Sequence, residues 1–208
     1  MVCSVGKRVQ EVAREVGFSK DFVEEISSLS EEAIGARATL LSRTKTLKAA
    51  RILAEDKDLG VRYAVAENTN TPQNILTKLS EDKNWMVRRI VAENTNTPKE
   101  TLAKLAGDED EDWEVRCAVA RNANTSKEIL TKLSEGKDSN VRYGVARNTN
   151  TSKKIIAQLA EDESWGVRCA VARNTNTPQN ILTKLAEDES WMVRCAAQRH
   201  LNTPSNSI

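Results

Sequence analysis

The chain has one histidine, His200, and four cysteines among its 208 residues. None of the cysteines forms a Cys-x-x-Cys pair, so zinc and iron–sulfur clusters have no ligand set, and no metal or other cofactor is expected. Cys117, Cys169 and Cys195 recur in a single register, which places them on separate helices of a stack. Stacked helices lie roughly 8–10 Å apart, too far for the roughly 4.4–6.8 Å of a disulfide, so these thiols read as small core fillers. Long apolar runs are also missing, since nothing approaches the roughly 18 residues of a membrane span. The stretch 1–12 has no apolar region behind its early basic residues, so a secretory signal is not expected and a cytoplasmic location is. Charge of one sign is not in excess: 31 basic residues face 30 acidic ones, unlike the strongly basic balance of most nucleic-acid binders. No glycine-rich phosphate loop, nucleophile–base pair or isolated carboxylate pair stands apart from the general pattern. An enzyme is therefore not expected.

What the sequence does contain is repetition. Val61-Arg62-Tyr63-Ala64-Val65-Ala66-Glu67-Asn68-Thr69-Asn70-Thr71-Pro72 returns from Val87, Val115, Val141 and Val167, and in worn form from Val193. The steps are 26, 28, 26, 26 and 26 residues. A fixed period of this size marks a solenoid, in which small units share one elongated core. With only 39% hydrophobic residues, that core must be thin. The expected organisation is a helical N-terminal cap over 1–34, a degenerate first repeat over 35–60, repeats over 61–204 and a tail over 205–208.

Each repeat reads as two short helices. The first is expected to open at a threonine N-cap (Thr71, Thr97, Thr125, Thr151, Thr177), with Pro72, Pro98 and Pro178 following at the first helical position. Ile75, Leu76 and Leu79 then form one apolar face. The second helix opens at Asp58, Asn84, Asp112, Asp138, Ser164 and Ser190, which differ in identity but share the chemistry of an N-cap. The Asn-x-Asn-Thr stretch ends it, through the tolerance of asparagine for left-handed backbone and its local hydrogen bonding. His200 to Pro204 starts a further turn that stops at Ile208, which leaves a core face bare and makes self-association through the C-terminal end an expectation. The 28-residue step contains five consecutive acids, 108–112, which read either as a solvated loop or as a recognition feature.

Three columns of side chains could carry function. Arg62, Arg88, Arg116, Arg142, Arg168 and Arg194 never vary, and a guanidinium fork suits bidentate pairing or carbonyl capping. Five residues further on come Glu67 and Glu93, then Arg121, Arg147, Arg173 and Arg199. That switch of sign gives residues 1–112 a surplus of acid, 20 against 17, and residues 113–208 a surplus of base, 14 against 10. The four arginines read either as a solvated rim or as a track for an acidic partner or a phosphate backbone. Trp85, Trp113, Trp165 and Trp191 share the position after the second helix's cap, where they serve as hydrophobic staples or as anchors for a partner.

The block Leu159-Ala160-Glu161-Asp162, then Val167-Arg168-Cys169-Ala170-Val171-Ala172-Arg173-Asn174 and Thr177-Pro178, resembles the leucine-rich repeat variant, a relative of HEAT repeats. The resemblance covers 61–204 well and 35–60 weakly. It implies an all-α, right-handed superhelix of about six helix-pair repeats, with one helix of each pair in 3₁₀ form. HEAT-like repeats carry an aspartate six residues before the arginine, which implies a ladder of Asp56/Arg62, Asp82/Arg88, Asp110/Arg116, Asp162/Arg168 and Asp188/Arg194. Gly136 stands where Arg142 would find its aspartate, so an interruption is implied there. One iron–sulfur member of the family has a cysteine-rich segment ahead of its repeats; with only Cys3 in that region, no cluster is implied here.

The reading is a non-catalytic scaffold that binds another protein through an extended surface, with Arg121, Arg147, Arg173 and Arg199 and the four tryptophans as contact residues. Nucleic-acid binding by the basic C-terminal half is the alternative.

Overall fold

The computed structural model describes residues 47–107 and 113–202. The expected N-terminal cap, residues 35–46 of the degenerate repeat, the acidic run 108–112 and the C-terminal tail lie outside the described residues, as does the expected bare C-terminal face. Main-chain contacts divide the chain into two compact units, Met1–Thr101 and Leu102–Ile208.

All regular structure among the described residues is α-helical. The first unit contains α1 (Leu47–Leu53), α2 (Leu59–Glu67), α3 (Gln73–Leu79) and α4 (Trp85–Glu93), and α5 (Lys99–Leu105) runs across the division. The second contains α6 (Trp113–Arg121), α7 (Lys127–Ser134), α8 (Ser139–Arg147), α9 (Lys153–Leu159), α10 (Trp165–Arg173), α11 (Gln179–Leu185) and α12 (Trp191–Asn202). Long and short helices alternate and stack as a repeat solenoid within each unit: α2 packs on α4 in the first, and α6, α8, α10 and α12 follow one another in the second.

Helices this short are marginal alone, so packing must hold them. Ile75, Leu76 and Leu79 of α3 and Val61, Ala64, Val65 and Ala66 of α2 are buried, as are Ile155, Ile156 and Leu159 of α9, while Ile129 and Ile181 at the position of Ile75 are half-buried. Burying one such aliphatic side chain contributes about 1.5–3 kcal/mol. The small residue at Ala118 and Ala170 becomes Gly144 in α8, where a Cβ would meet Ala120 Cβ at 3.0 Å and the Cys117 carbonyl oxygen at 3.3 Å. That missing carbon lets α8 approach α6 closely.

The helix starts depart from expectation in an instructive way. The aspartate and asparagine caps of the long helices hold: the side chains of Asp58, Asn84 and Asp138 accept from the main-chain N–H of Gly60, Met86 and Asn140. Ser164 makes no such bond. The threonines do not cap the short helices. Pro72 and Pro178 occupy the N-cap position, with Ser126 and Ser152 there in the middle repeats. Buried Thr71, Thr97, Thr125, Thr151 and Thr177 turn the other way, each donating its hydroxyl at 2.6 Å to the carbonyl six residues back, such as Val65 or Val145. That carbonyl belongs to the last turn of a helix, which has no intrahelical donor left.

Three further expectations are corrected. Both helices of each pair are α-helical: the short one opens with a tight bond from Ile75 N to Pro72 O, but Leu76 N reaches the same carbonyl and continues as α-helix. The asparagines that end the long helices are extended rather than left-handed, with φ −65° and ψ 117° at Asn68, and the Asn68 Oδ1 accepts the main-chain N–H of Asn70. His200 and Asn202 are also helical, part of α12, and do not begin a turn.

Candidate functional site: two buried ladders and an exposed arginine column

Of the invariant arginines, Arg62, Arg88, Arg142 and Arg168 are buried where their helices enter the stack, and Arg116 and Arg194 are half-buried. Arg62 donates from Nε to Asp82 Oδ2 at 2.6 Å and from Nη2 to Oδ1 at 3.1 Å. Arg142 grips Asp162 in the same way at 2.6 and 3.1 Å, and Arg168 grips Asp188 at 2.7 and 3.0 Å. Nη1 of each meanwhile donates to two carbonyls of the turn before its own helix: Asp56 and Lys57 for Arg62, Gly136 and Lys137 for Arg142, Asp162 and Glu163 for Arg168. Arg88 and Arg194 take the corresponding carbonyls of Asp82 and Asp188. The in-repeat pairing implied by the resemblance is therefore corrected. The aspartate six residues back supplies its carbonyl, and the carboxylate comes from twenty residues ahead, in the next repeat. Asp110 lies outside the described residues.

The expected break at Arg142 is corrected too. Arg142 needs only a carbonyl from position 136, which glycine provides, while its carboxylate comes from Asp162.

Hydrogen bonding to Asp82 raises the Arg62 pKa further against the opposing effect of burial, and Arg142 and Arg168 behave alike toward Asp162 and Asp188. Burial pushes Asp82 up, but the Arg62 guanidinium and the Asn84 N–H outweigh it, and its pKa falls below the usual carboxylate value. Hydrogen bonding to Arg168 lowers Asp188 in the same direction, against burial. A forked, charge-assisted clamp of this kind fixes the register between repeats.

A second ladder was not read from the sequence. Asn94 Nδ2 donates to Ala66 O at 2.7 Å and Asn68 O at 3.0 Å, joining α4 to α2. Asn148 reaches back to Ala120 and Asn122 at 2.8 and 2.9 Å, and Asn174 to Ala146 and Asn148 at 2.7 and 3.1 Å. The Oδ1 of each accepts the main-chain N–H two residues on. Asn96, Asn150 and Asn176 add a parallel set to the carbonyls of Thr71, Ala123 and Thr149. In the last copy His200 takes the asparagine's place, with Nδ1 2.9 Å from Ala172 O. A carbonyl only accepts, so that nitrogen carries the proton. The one signal available in sequence was the 26-residue register linking Asn174 to His200.

Beside these ladders the second arginine column is exposed. Arg121, Arg147, Arg173 and Arg199 all reach solvent from α6, α8, α10 and α12. No carboxylate among the described residues forms an ion pair with Arg121, Arg147 or Arg173. Tyr143 stands between the first two, its ring centroid 5.8 Å from the Arg121 guanidinium carbon and 5.9 Å from that of Arg147. Arg147 also donates to the Tyr143 hydroxyl at 3.3 Å. The last two arginines flank a groove of about 580 Å³ lined by Trp191, Met192, Cys195 and His200. In the first unit, Glu93 of the corresponding column pairs with Arg89.

The tryptophans do not share one environment. Trp85 and Trp113 are half-buried, whereas Trp165 is 51% and Trp191 64% exposed. Trp191 is brought together with Arg173 and Arg199 at the groove. Cys117 and Cys169 are buried free thiols and Cys195 is half-buried. The described residues hold no group of side chains fit for a metal, and none of their helices is long and apolar enough to cross a membrane.

Comparison with known proteins agrees with this architecture. Residues 85–110 match the family model described as leucine rich repeat variant. A solved structure described as a leucine-rich repeat variant with a novel repetitive protein structural motif is 26% identical, with a TM-score of 0.60 over 98% of this chain and 83% of that one. A search of curated proteins finds no match. The chain is thus a helical repeat solenoid similar to the leucine-rich repeat variant, a fold typical of non-catalytic protein-interaction scaffolds.

Proposed function

We propose that this chain is a non-catalytic scaffold that binds another protein through the exposed edge of its long helices. Arg121, Arg147, Arg173 and Arg199 supply the charge, and Trp191 and Trp165 the apolar anchors. One contrast supports the reading most: Arg62, Arg142 and Arg168 of the ladder each grip a carboxylate, while among the described residues Arg121, Arg147 and Arg173 have no carboxylate partner. Desolvating a guanidinium beside an aromatic side chain is the kind of contact that concentrates binding energy at interfaces. Trp85 and Trp113, half-buried, contribute less. The stack of arginine, tyrosine and arginine favours one second reading, nucleic-acid binding, because a base can stack on such a platform.

The test is affinity capture from a cell lysate with the full chain and with a variant carrying Arg121→Glu, Arg147→Glu, Arg173→Glu and Arg199→Glu. A defined protein retained by the first and lost from the second supports the scaffold reading. Nucleic acid retained in its place, released steeply as salt rises, moves the assignment to the second reading. Equal recoveries from both chains refute the role of the column.

A further inference from the structure

The spacing and surroundings of the arginine column say what kind of segment it fits. Resting on the scaffold reading above, we infer that the second unit recognises an extended acidic peptide whose carboxylates recur every third residue and which carries an apolar side chain at one end. The helices bearing the arginines follow one another in the stack, and packed helices are separated by roughly 8–10 Å. Arg121 and Arg147 bracket one ring, so their guanidinium carbons lie at most about 12 Å apart. A polyproline-type chain rises about 3.1 Å per residue with three residues per turn, so every third side chain faces the same way at about 9 Å. A β-strand repeats on one face every two residues, at about 7 Å, and falls out of step after two arginines.

Charge complementarity selects acid. The described ion pairs of the second unit involve the ladder arginines and Lys184, and leave Arg121, Arg147 and Arg173 outside them. Tyr143 holds Arg121 and Arg147 in place, which reduces the side-chain freedom lost on binding. The column then runs into the groove between Arg173 and Arg199, where Trp191 and the 48%-exposed Met192 offer apolar surface. A volume of about 580 Å³ takes one large side chain of a partner with room to spare. The apolar residue therefore belongs at the end of the acidic run that lies over α10 and α12.

The test is fluorescence anisotropy with the full chain and labelled twelve-residue peptides. The first has Glu at every third position and a terminal Phe, the second the same composition with its acids adjacent, and the third lacks the Phe. A helix-forming peptide with acids seven residues apart and a single-stranded oligonucleotide complete the set. The first peptide is expected to bind about tenfold more tightly than the second. Each partly exposed ion pair is worth roughly two- to fivefold, so Arg147→Gln with Arg173→Gln should weaken it about tenfold. Trp191→Ala should weaken it and leave the third peptide's affinity unchanged. Equal binding of the first two peptides overturns the spacing argument, tighter binding of the helical peptide overturns the extended conformation, and tighter binding of the oligonucleotide overturns the peptide assignment. If none of the peptides binds while lysate capture still retains an arginine-dependent protein, this inference fails and the scaffold reading survives. If capture is also unaffected by the arginines, both fail.

Discussion

Asn148→Ala should destabilise the second unit far more than removal of a polar side chain usually does. Asn148 is 4% exposed and makes three bonds: Nδ2 to Ala120 O and Asn122 O, and Oδ1 from Asn150 N–H. The Asn122 carbonyl keeps a bond from Thr125 N, but Ala120 O sits at a helix end and loses its cross-repeat donor. Three bonds at about 1 kcal/mol each, plus about 1 kcal/mol for the orphaned carbonyl, give about 4 kcal/mol. Urea denaturation followed by circular dichroism measures it, with hydrogen exchange of the α6–α8 amides to locate the loss. Asn148→Asp sharpens the test. It keeps the acceptor but turns a second carboxylate oxygen toward two carbonyls, so at neutral pH it should be worse than alanine. Burial and those carbonyls raise its folded pKa above the unfolded value, so stability should return as pH falls through that raised pKa. A cost below about 1 kcal/mol for the alanine variant, or an aspartate variant as stable as wild type at pH 7, would refute the reasoning.

Two other outcomes follow from the same geometry. Gly144→Ala should lower stability by about 1 kcal/mol despite alanine's better helix propensity, because Ala120 Cβ and the Cys117 carbonyl must give way; a gain in melting temperature would contradict the close approach of α8 and α6. Asp82 and Asp188 titrate below their ordinary value in the folded chain, so the stability they contribute is complete above about pH 4 and is lost as pH falls through their depressed folded pKa values. Thermal melts between pH 7 and pH 3 should show it, and Asp188→Asn should flatten the acid limb.

The repeats were legible because their spacing and buried apolar positions are carried by local sequence, as at Ile75, Leu76 and Leu79. The arginine ladder was legible only up to an ambiguity that repetition itself creates. In a 26-residue period, an aspartate six residues before one arginine is also twenty residues after the previous one, and no residue type separates the two. Only the structure shows that Arg62 faces Asp82. The asparagines misled for a different reason. Their Oδ1 atoms do make the local turn bonds expected of them, which leaves no sign in the sequence that Nδ2 works between repeats. The exposed column was visible from the sign switch at Glu93 and Arg121, but its tyrosine brace was not, because Tyr143 stands where neighbouring copies have cysteine.

The asparagine ladder joins side chains to main-chain carbonyls, which every residue type possesses. A joint of that kind does not depend on what its neighbour's surface looks like. Unequal recombination that adds or deletes a whole 26-residue unit therefore produces a joint already complete, provided the unit brings its own asparagines. The outer columns are left to drift, which accounts for the same position being Glu67 in one copy and Arg121 in another. The array can thus change its length and its surface charge independently of one another.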